Sequence, residues 1–123
     1  HMTRFIITLD QAIDLLDYAY KTREENHGCV IVPRLKSLKI IDLATAMGAR
    51  AEIVGIRAGE KLHEEMVSVE ESMKVRDENK YLVITPDYIN ANKLGFRGES
   101  FASDSQLMSK TQLKSYLKEV KVI

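Results

Sequence analysis

The chain has 123 residues, enough for one domain or part of one, and its 18 Lys and Arg balance 18 Asp and Glu to a formal net charge of zero. That balance excludes a nucleic-acid binder or membrane anchor driven by bulk positive charge. The 45% hydrophobic and 29% charged content excludes a disordered chain. No apolar run approaches the ~20 residues that span a bilayer, and the single cysteine, Cys29, excludes an internal disulfide and fits a reducing, cytoplasmic setting.

His1-Met2 reads as a cloning scar or a scar plus start codon, which leaves residues 3–123 as the domain. Thr3–Thr8 is β-branched and aromatic and predicts a strand. Thr8 followed by Gln11 is a capping box. It predicts a helix to Lys21 with Leu9, Ala12, Ile13, Leu16, Ala19 and Tyr20 in one apolar stripe. Cys29–Val32, between Gly28 and Pro33, reads as a buried strand. Ser37 is the expected N-cap of a second helix that Gly48 stops. Ala51–Ile56 predicts a third strand, followed by the charged loop Arg57–Glu64. Met66–Val69 reads as a short strand and Glu70–Lys80 as surface, part helix and part loop. Tyr81–Thr85 is a strand stopped by Pro86, and Asp87–Ser105 reads mostly as loop. Ser109 with Gln112 repeats the capping box and opens a last helix with Leu113, Tyr116, Leu117 and Val120 inward.

Strands alternating with helices define the α/β class, here a small mixed or partly parallel sheet with three or more helices. The crossover lengths permit parallel pairing of the first three strands. Together, the helix Thr8–Lys21 and the strands Cys29–Val32 and Ile53–Ile56 carry more apolar surface than so small a domain hides. Self-association, or cover by the chain's own tail, is therefore expected.

No glycine-rich phosphate loop follows a strand, and no Tyr-x-x-x-Lys pair occurs, so no NAD(P) site and no catalytic residue is expected in this chain. His63-Glu64-Glu65 is not His-Glu-x-x-His, since Val67 stands where the second histidine would, and no metal site is expected. Cys29 has no basic neighbour and reads as a buried, inert thiol.

The segment richest in chemistry is Gly55-Ile56-Arg57-Ala58-Gly59-Glu60-Lys61-Leu62. It puts a planar, bidentate cation and a carboxylate a few residues apart on one loop. Arg57 can grip phosphate oxygens while Glu60 accepts from a diol. On spacing alone an ordinary surface ion pair, worth ~0–1 kcal/mol, is the commoner outcome. Arg4, at the start of an apolar strand, is the second candidate, although an edge strand commonly carries one exposed charge.

Three ordered stretches carry a resemblance. They are Met2–Ala12 with its Thr-Arg-Phe, Val30–Ala44 with its Val-Ile-Val-Pro, and Val54–Met66 with its Gly-Ile-Arg-Ala-Gly-Glu-Lys-Leu-His-Glu-Glu. They resemble the carboxy-terminal, substrate-binding part of the UDP-N-acetylglucosamine 4,6-dehydratases, some of which are also 5-epimerases. These are extended short-chain dehydrogenases/reductases of capsule, O-antigen and flagellin-sugar pathways. The resemblance is good from Thr3 to about Thr85 and weaker beyond, where Phe101-Ala102-Ser103-Asp104 and the last helix look like the family's closing segment.

The resemblance implies that Arg4 and Arg57 contact the nucleotide diphosphate and that Glu60 holds the uridine ribose hydroxyls. Lys61, His63 and Glu64 would support the loop. It also implies that the Rossmann half, with NAD(P) and the acid–base residues, lies outside this chain, so the chain alone should be inactive. The implied partners are a UDP-sugar and that Rossmann domain, in the same enzyme or as a split-gene product. Gln106–Ser109 lacks an arginine that the family pattern has there. A non-enzymatic interaction or sensor module that keeps the fold is the reading from another class.

Overall fold

A computed structural model describes residues 1–86 and 98–123. The part of the expected loop at 87–97 lies outside the described residues. The chain divides into two compact units. The first comprises His1–Ile6, Lys36–Glu64 and Ala102–Ile123, and the second Ile7–Leu35 and Glu65–Phe101.

In the first unit, β1 (Thr3–Ile6) pairs antiparallel with β3 (Lys36–Lys39), with Thr3 opposite Lys39 and Ile6 opposite Lys36. Ser37 therefore does not cap a helix. It is buried in β3, its hydroxyl donates to the Gln106 carbonyl at 3.1 Å, and its own carbonyl accepts from Met108 N–H at 3.0 Å. A strand already begun by β1 needs a ladder partner for its buried amides, and that requirement overrides a capping signal. The helix α2 starts three residues later and spans Ile40–Ala46. Gly48, at φ +71°, ends it as expected. The helix α4 (Lys110–Glu119) has the predicted capping box, with Ser109 accepting from Gln112 N–H. Its inward face supplies Leu113, Tyr116 and Leu117, which enclose Leu38 and pack with Ile6, Leu43, Ala46, Met108 and Val120. The tail thus docks through backbone bonds to β3 and through this core, without the arginine missing from 106–109.

Residues 51–57 are not a strand. They have no ladder partner among the described residues, Ile53 is 92% exposed, and Gly55 turns the backbone to φ +86°. β propensity reports fit to a pleated, half-buried surface, and this segment has none to fit.

In the second unit, β2 (Val30–Pro33), β5 (Val75–Asp77) and β6 (Tyr81–Ile84) form a sheet of order β2-β6-β5. Both ladders are antiparallel, with Val30 and Val75 each opposite Ile84. The pairing that the crossover lengths permitted is not used. In the other unit a parallel bridge links Ser37 to Leu107. Val32, Val75, Leu82 and Val83 are buried. The elements β4 (Glu65–Val67) and α3 (Val69–Ser72) precede β5. Glu70–Lys80 is thus more structured than its charge suggests, and Ser72 and Val75 are buried within it.

The helix α1 (Leu9–Lys21) has its predicted capping box at Thr8 and Gln11, but no residue of it is fully buried. The half-buried positions are Ala12, Leu15, Tyr18 and Ala19, whereas Leu9 (77%), Ile13, Leu16 and Tyr20 lie in solvent. Much of the predicted stripe therefore faces outward. What seats the helix is Tyr18, stacked on Tyr81 with ring centroids 4.1 Å apart and planes 19° off parallel. Cys29 is half-buried rather than fully enclosed.

Two outcomes are expected. Leu113→Ala removes a fully buried side chain and should cost about 2–5 kcal/mol in denaturant unfolding, several times the cost of Ser109→Ala, about 1 kcal/mol. The Tyr81 phenol is held above its ordinary value by burial first, then by Asp14, Tyr18 and Asp17. Ionisation is thus harder in the fold than in the unfolded chain. The stability it confers is complete below about pH 10 and is lost as pH rises through the raised folded value. Alkaline unfolding should shift to higher pH in Tyr81→Phe.

Candidate functional site

The site is a loop fastened to the first strand. Arg57–Glu60 is a tight turn in which Glu60 N–H donates to the Arg57 carbonyl at 3.1 Å. Gly59 at the third position takes φ +79°, which a type II turn requires and side chains resist. The Glu60 carboxylate closes the same turn by accepting from Arg57 N–H at 3.1 Å. The segment after the turn runs beside β1, where Thr3 N–H donates to the Leu62 carbonyl at 2.9 Å.

Arg4 fixes this arrangement. Its Nη1 donates to the carbonyls of Thr3 at 2.7 Å and Leu62 at 3.2 Å, and its Nη2 donates to that of Lys61 at 2.8 Å. Glu64 lies 3.6 Å from its Nε and Glu60 4.0 Å from its Nη2. Only a planar fork reaches three carbonyls on two segments at once. The Arg4 side chain is 24% exposed, and its short charge-assisted bonds outweigh the two long ion pairs.

The six residues singled out by sequence divide accordingly. Arg4, Glu60 and Glu64 come together. Arg57 stands at the mouth of the turn, exposed, and its guanidinium has no ion pair or hydrogen bond among the described residues. Lys61 contributes its carbonyl, and its side chain is exposed. His63 turns inward, its Nδ1 2.7 Å from Thr3 Oγ1. Three residues were not anticipated. Buried Thr3 bonds Ser103 at 2.6 Å between hydroxyls, Ser103 Oγ accepts from Glu64 N–H at 2.9 Å, and Asp104 lies 3.9 Å from His63 Nε2. Thr3 and Ser103 are 100 residues apart, and nothing in either local pattern signals that they meet.

Two open grooves lie elsewhere. One, of about 570 Å³, runs beside α4 between Lys36 and Tyr116, and the other, of about 700 Å³, lies beside Tyr18 and Tyr81. Neither includes Arg4, Arg57 or Glu60. The loop is an exposed edge rather than a closed pocket. Among the described residues, no cluster of three or more His, Cys, Asp or Glu is placed to hold a metal ion. Among those residues, too, no helix is long and apolar enough to cross a membrane.

Residues 1–86 match the family described as polysaccharide biosynthesis protein. The chain is 34% identical over 121 residues to the UDP-N-acetylglucosamine 4,6-dehydratase (inverting) of Campylobacter jejuni subsp. jejuni serotype O:2, covering 85% of this chain and 35% of that one. It is 29% identical over 133 residues to the uncharacterized membrane protein MJ1061 of Methanocaldococcus jannaschii, covering 97% of this chain and 39% of that one. The solved structure of Pen from Bacillus thuringiensis superposes with a TM-score of 0.81 at 25% identity, over 99% of this chain and 40% of Pen. The chain belongs to the polysaccharide biosynthesis protein family, within the extended short-chain dehydrogenases/reductases. It spans little more than a third of the length of these curated relatives.

Gly59→Ala should destabilise the protein by about 1–2 kcal/mol, because a side chain resists the left-handed conformation there. Arg4→Lys should behave nearly as Arg4→Ala, since an ammonium cannot bridge three carbonyls. Both should speed amide exchange at Thr3 and proteolysis of residues 57–62.

Proposed function

We propose that this chain is the UDP-sugar-binding part of a UDP-N-acetylglucosamine 4,6-dehydratase-like enzyme of surface-polysaccharide synthesis. In the whole enzyme a Rossmann half binds NAD(P) and carries out the redox and dehydration chemistry. The observation that carries this reading is the pinned Arg57–Glu60 turn. It presents a guanidinium that has no partner among the described residues, and a carboxylate, on one short hydrogen-bonded turn. Arg57 takes the diphosphate and Glu60 the ribose diol. Arg4 contributes by holding the loop through three backbone carbonyls, and the donors left over, its Nε–H and second Nη2–H, are the ones it can offer to the diphosphate. The similarity to a relative named for a UDP-N-acetylglucosamine reaction supports the ligand class. In this reading the chain supplies binding and orientation remote from the reacting carbon, in the cytoplasm where the nucleotide sugar is made.

The exposed row Leu9, Ile13, Leu16 and Tyr20, and β2, whose Val30 is exposed at the sheet edge, support a second element of the reading. They are the surface on which the Rossmann half packs. A non-enzymatic module would use the same surface for another protein.

UDP titrated into the labelled chain should shift the amides of residues 57–64 with Kd near 1 mM, about −4 kcal/mol. UMP should bind more weakly. Arg57→Ala and Arg57→Lys should both abolish the shifts, whereas Glu60→Gln should weaken them less, since the amide oxygen still accepts from a hydroxyl. Shifts that survive Arg57→Ala, or saturable NADP binding by calorimetry, would overturn the reading.

A further inference from the structure

His63, Thr3, Ser103 and the Glu64 amide form one continuous hydrogen-bonded chain. Thr3 and Ser103 are 1% and 0% exposed, so water cannot serve as a substitute partner. The direction of the chain follows from counting hydrogens. The Glu64 N–H can only donate, so Ser103 Oγ accepts from it. Ser103 then has one hydrogen to place, and among the described residues its hydroxyl has a single further neighbour, Thr3 Oγ1. Thr3 in turn has one hydrogen, and it goes to His63 Nδ1. In this order every hydrogen has an acceptor. It requires Nδ1 to offer a lone pair, which puts the imidazole proton on Nε2, the side facing Asp104.

A second proton on His63 breaks this order. Both ring nitrogens then donate, Thr3 must accept from Nδ1 and donate to Ser103, and the Ser103 hydrogen is left buried without an acceptor. The charged groups around the ring do not remove this conflict. Asp104, after β7 (Phe101–Ala102), attracts the imidazolium from 3.9 Å, and Glu64 and Glu60 on its own loop also favour it. Arg4 on β1 and Lys61 on the loop oppose it. None of them accepts the stranded hydroxyl hydrogen.

We infer that His63 is a positioning residue whose neutral form, accepting from Thr3, locks the Arg57–Glu64 loop onto β1 and whose protonation unlocks it. Thr3 transmits the change. Its amide holds the Leu62 carbonyl and its carbonyl takes the Arg4 guanidinium, so turning Thr3 disturbs both fastenings of the loop. The consequence for ligand rests on the UDP-sugar reading: nucleotide affinity falls when His63 becomes cationic, by roughly tenfold.

The first test needs no ligand and no variant. Imidazole ¹⁵N shifts of the unliganded chain at about pH 8 should show His63 with Nδ1 bare and Nε2 protonated. The opposite tautomer would overturn the inference. Between about pH 8 and pH 5 the protection factors of the Glu64 and Thr3 amides should fall together, tracking the His63 ring signal. His63→Asn places an amide oxygen where Nδ1 stood and does not titrate. It should keep both amides protected and make them insensitive to pH over this interval, whereas a pH response unchanged in His63→Asn refutes the switch. UDP-N-acetylglucosamine, whose esterified phosphates keep their charge over this interval, should bind the wild-type chain roughly tenfold more weakly at pH 5 and the His63→Asn chain equally at both pH values. A chain that passes the ligand-free tests and binds no nucleotide at either pH overturns the UDP-sugar reading and leaves the switch standing.

Discussion

Everything proposed for this molecule depends on one guanidinium. Arg4 gathers the carbonyls of Thr3, Lys61 and Leu62, which belong to segments nearly sixty residues apart in sequence. Without it the Lys61 and Leu62 carbonyls would lose these donors, and Glu60 and Glu64 would lose the cation they share. The turn at Arg57–Glu60 is then held at its far end, and its own hydrogen bonds shape the near end. A loop held at both ends loses little further entropy when a ligand settles on it, and a binding element needs that property.

The same arrangement sets the two arginines in different surroundings, although the family resemblance implies the same ligand group for both. Arg4 is mostly covered and spends three of its five donors on backbone carbonyls, while the Arg57 guanidinium is exposed and has no acceptor among the described residues. An arginine on a strand whose neighbours are half-buried is drawn to nearby backbone carbonyls, because leaving its donors unmet there is costly. An arginine at the first position of a turn in solvent meets no such demand and stays available.

The sequence revealed whatever is encoded locally. The capping boxes at Thr8 and Gln11 and at Ser109 and Gln112 begin helices where expected, Pro86 follows the end of β6, and Gly48 ends α2. It misled where a local signal met a tertiary demand. Ser37 reads as a cap but is consumed by the β1–β3 ladder, and Ala51–Ile56 reads as a strand but has no partner to pair with among the described residues. The stripe on α1 was legible as a pattern, but its orientation was not. Periodicity says which residues share a face, not which side of the helix is covered, and here Tyr18 on Tyr81 decides that. The loop motif was legible too. Its fastening was not, because Thr3, His63 and Ser103 are brought together by topology and by no spacing a sequence displays.

A neutral chain proposed to grip a diphosphate cannot rely on a long-range field. Arg4 and the stretch 57–64 together hold the cations Arg4, Arg57 and Lys61 against the carboxylates Glu60 and Glu64, a local surplus of one positive charge. At physiological salt such a surplus is screened within about 8 Å and steers little. On the proposed reading, recognition therefore comes from short-range geometry, with the fork of Arg57 on two phosphate oxygens and Glu60 on hydroxyl hydrogens. On the same reading, Glu60 also penalises the wrong ligand. A bare polyphosphate lying across the turn would set its anionic oxygens against that carboxylate, whereas a nucleoside diphosphate can offer a diol there. On the proposed reading, selectivity for a nucleotide over free phosphate arises as much from the repulsion by Glu60 as from the attraction by Arg57.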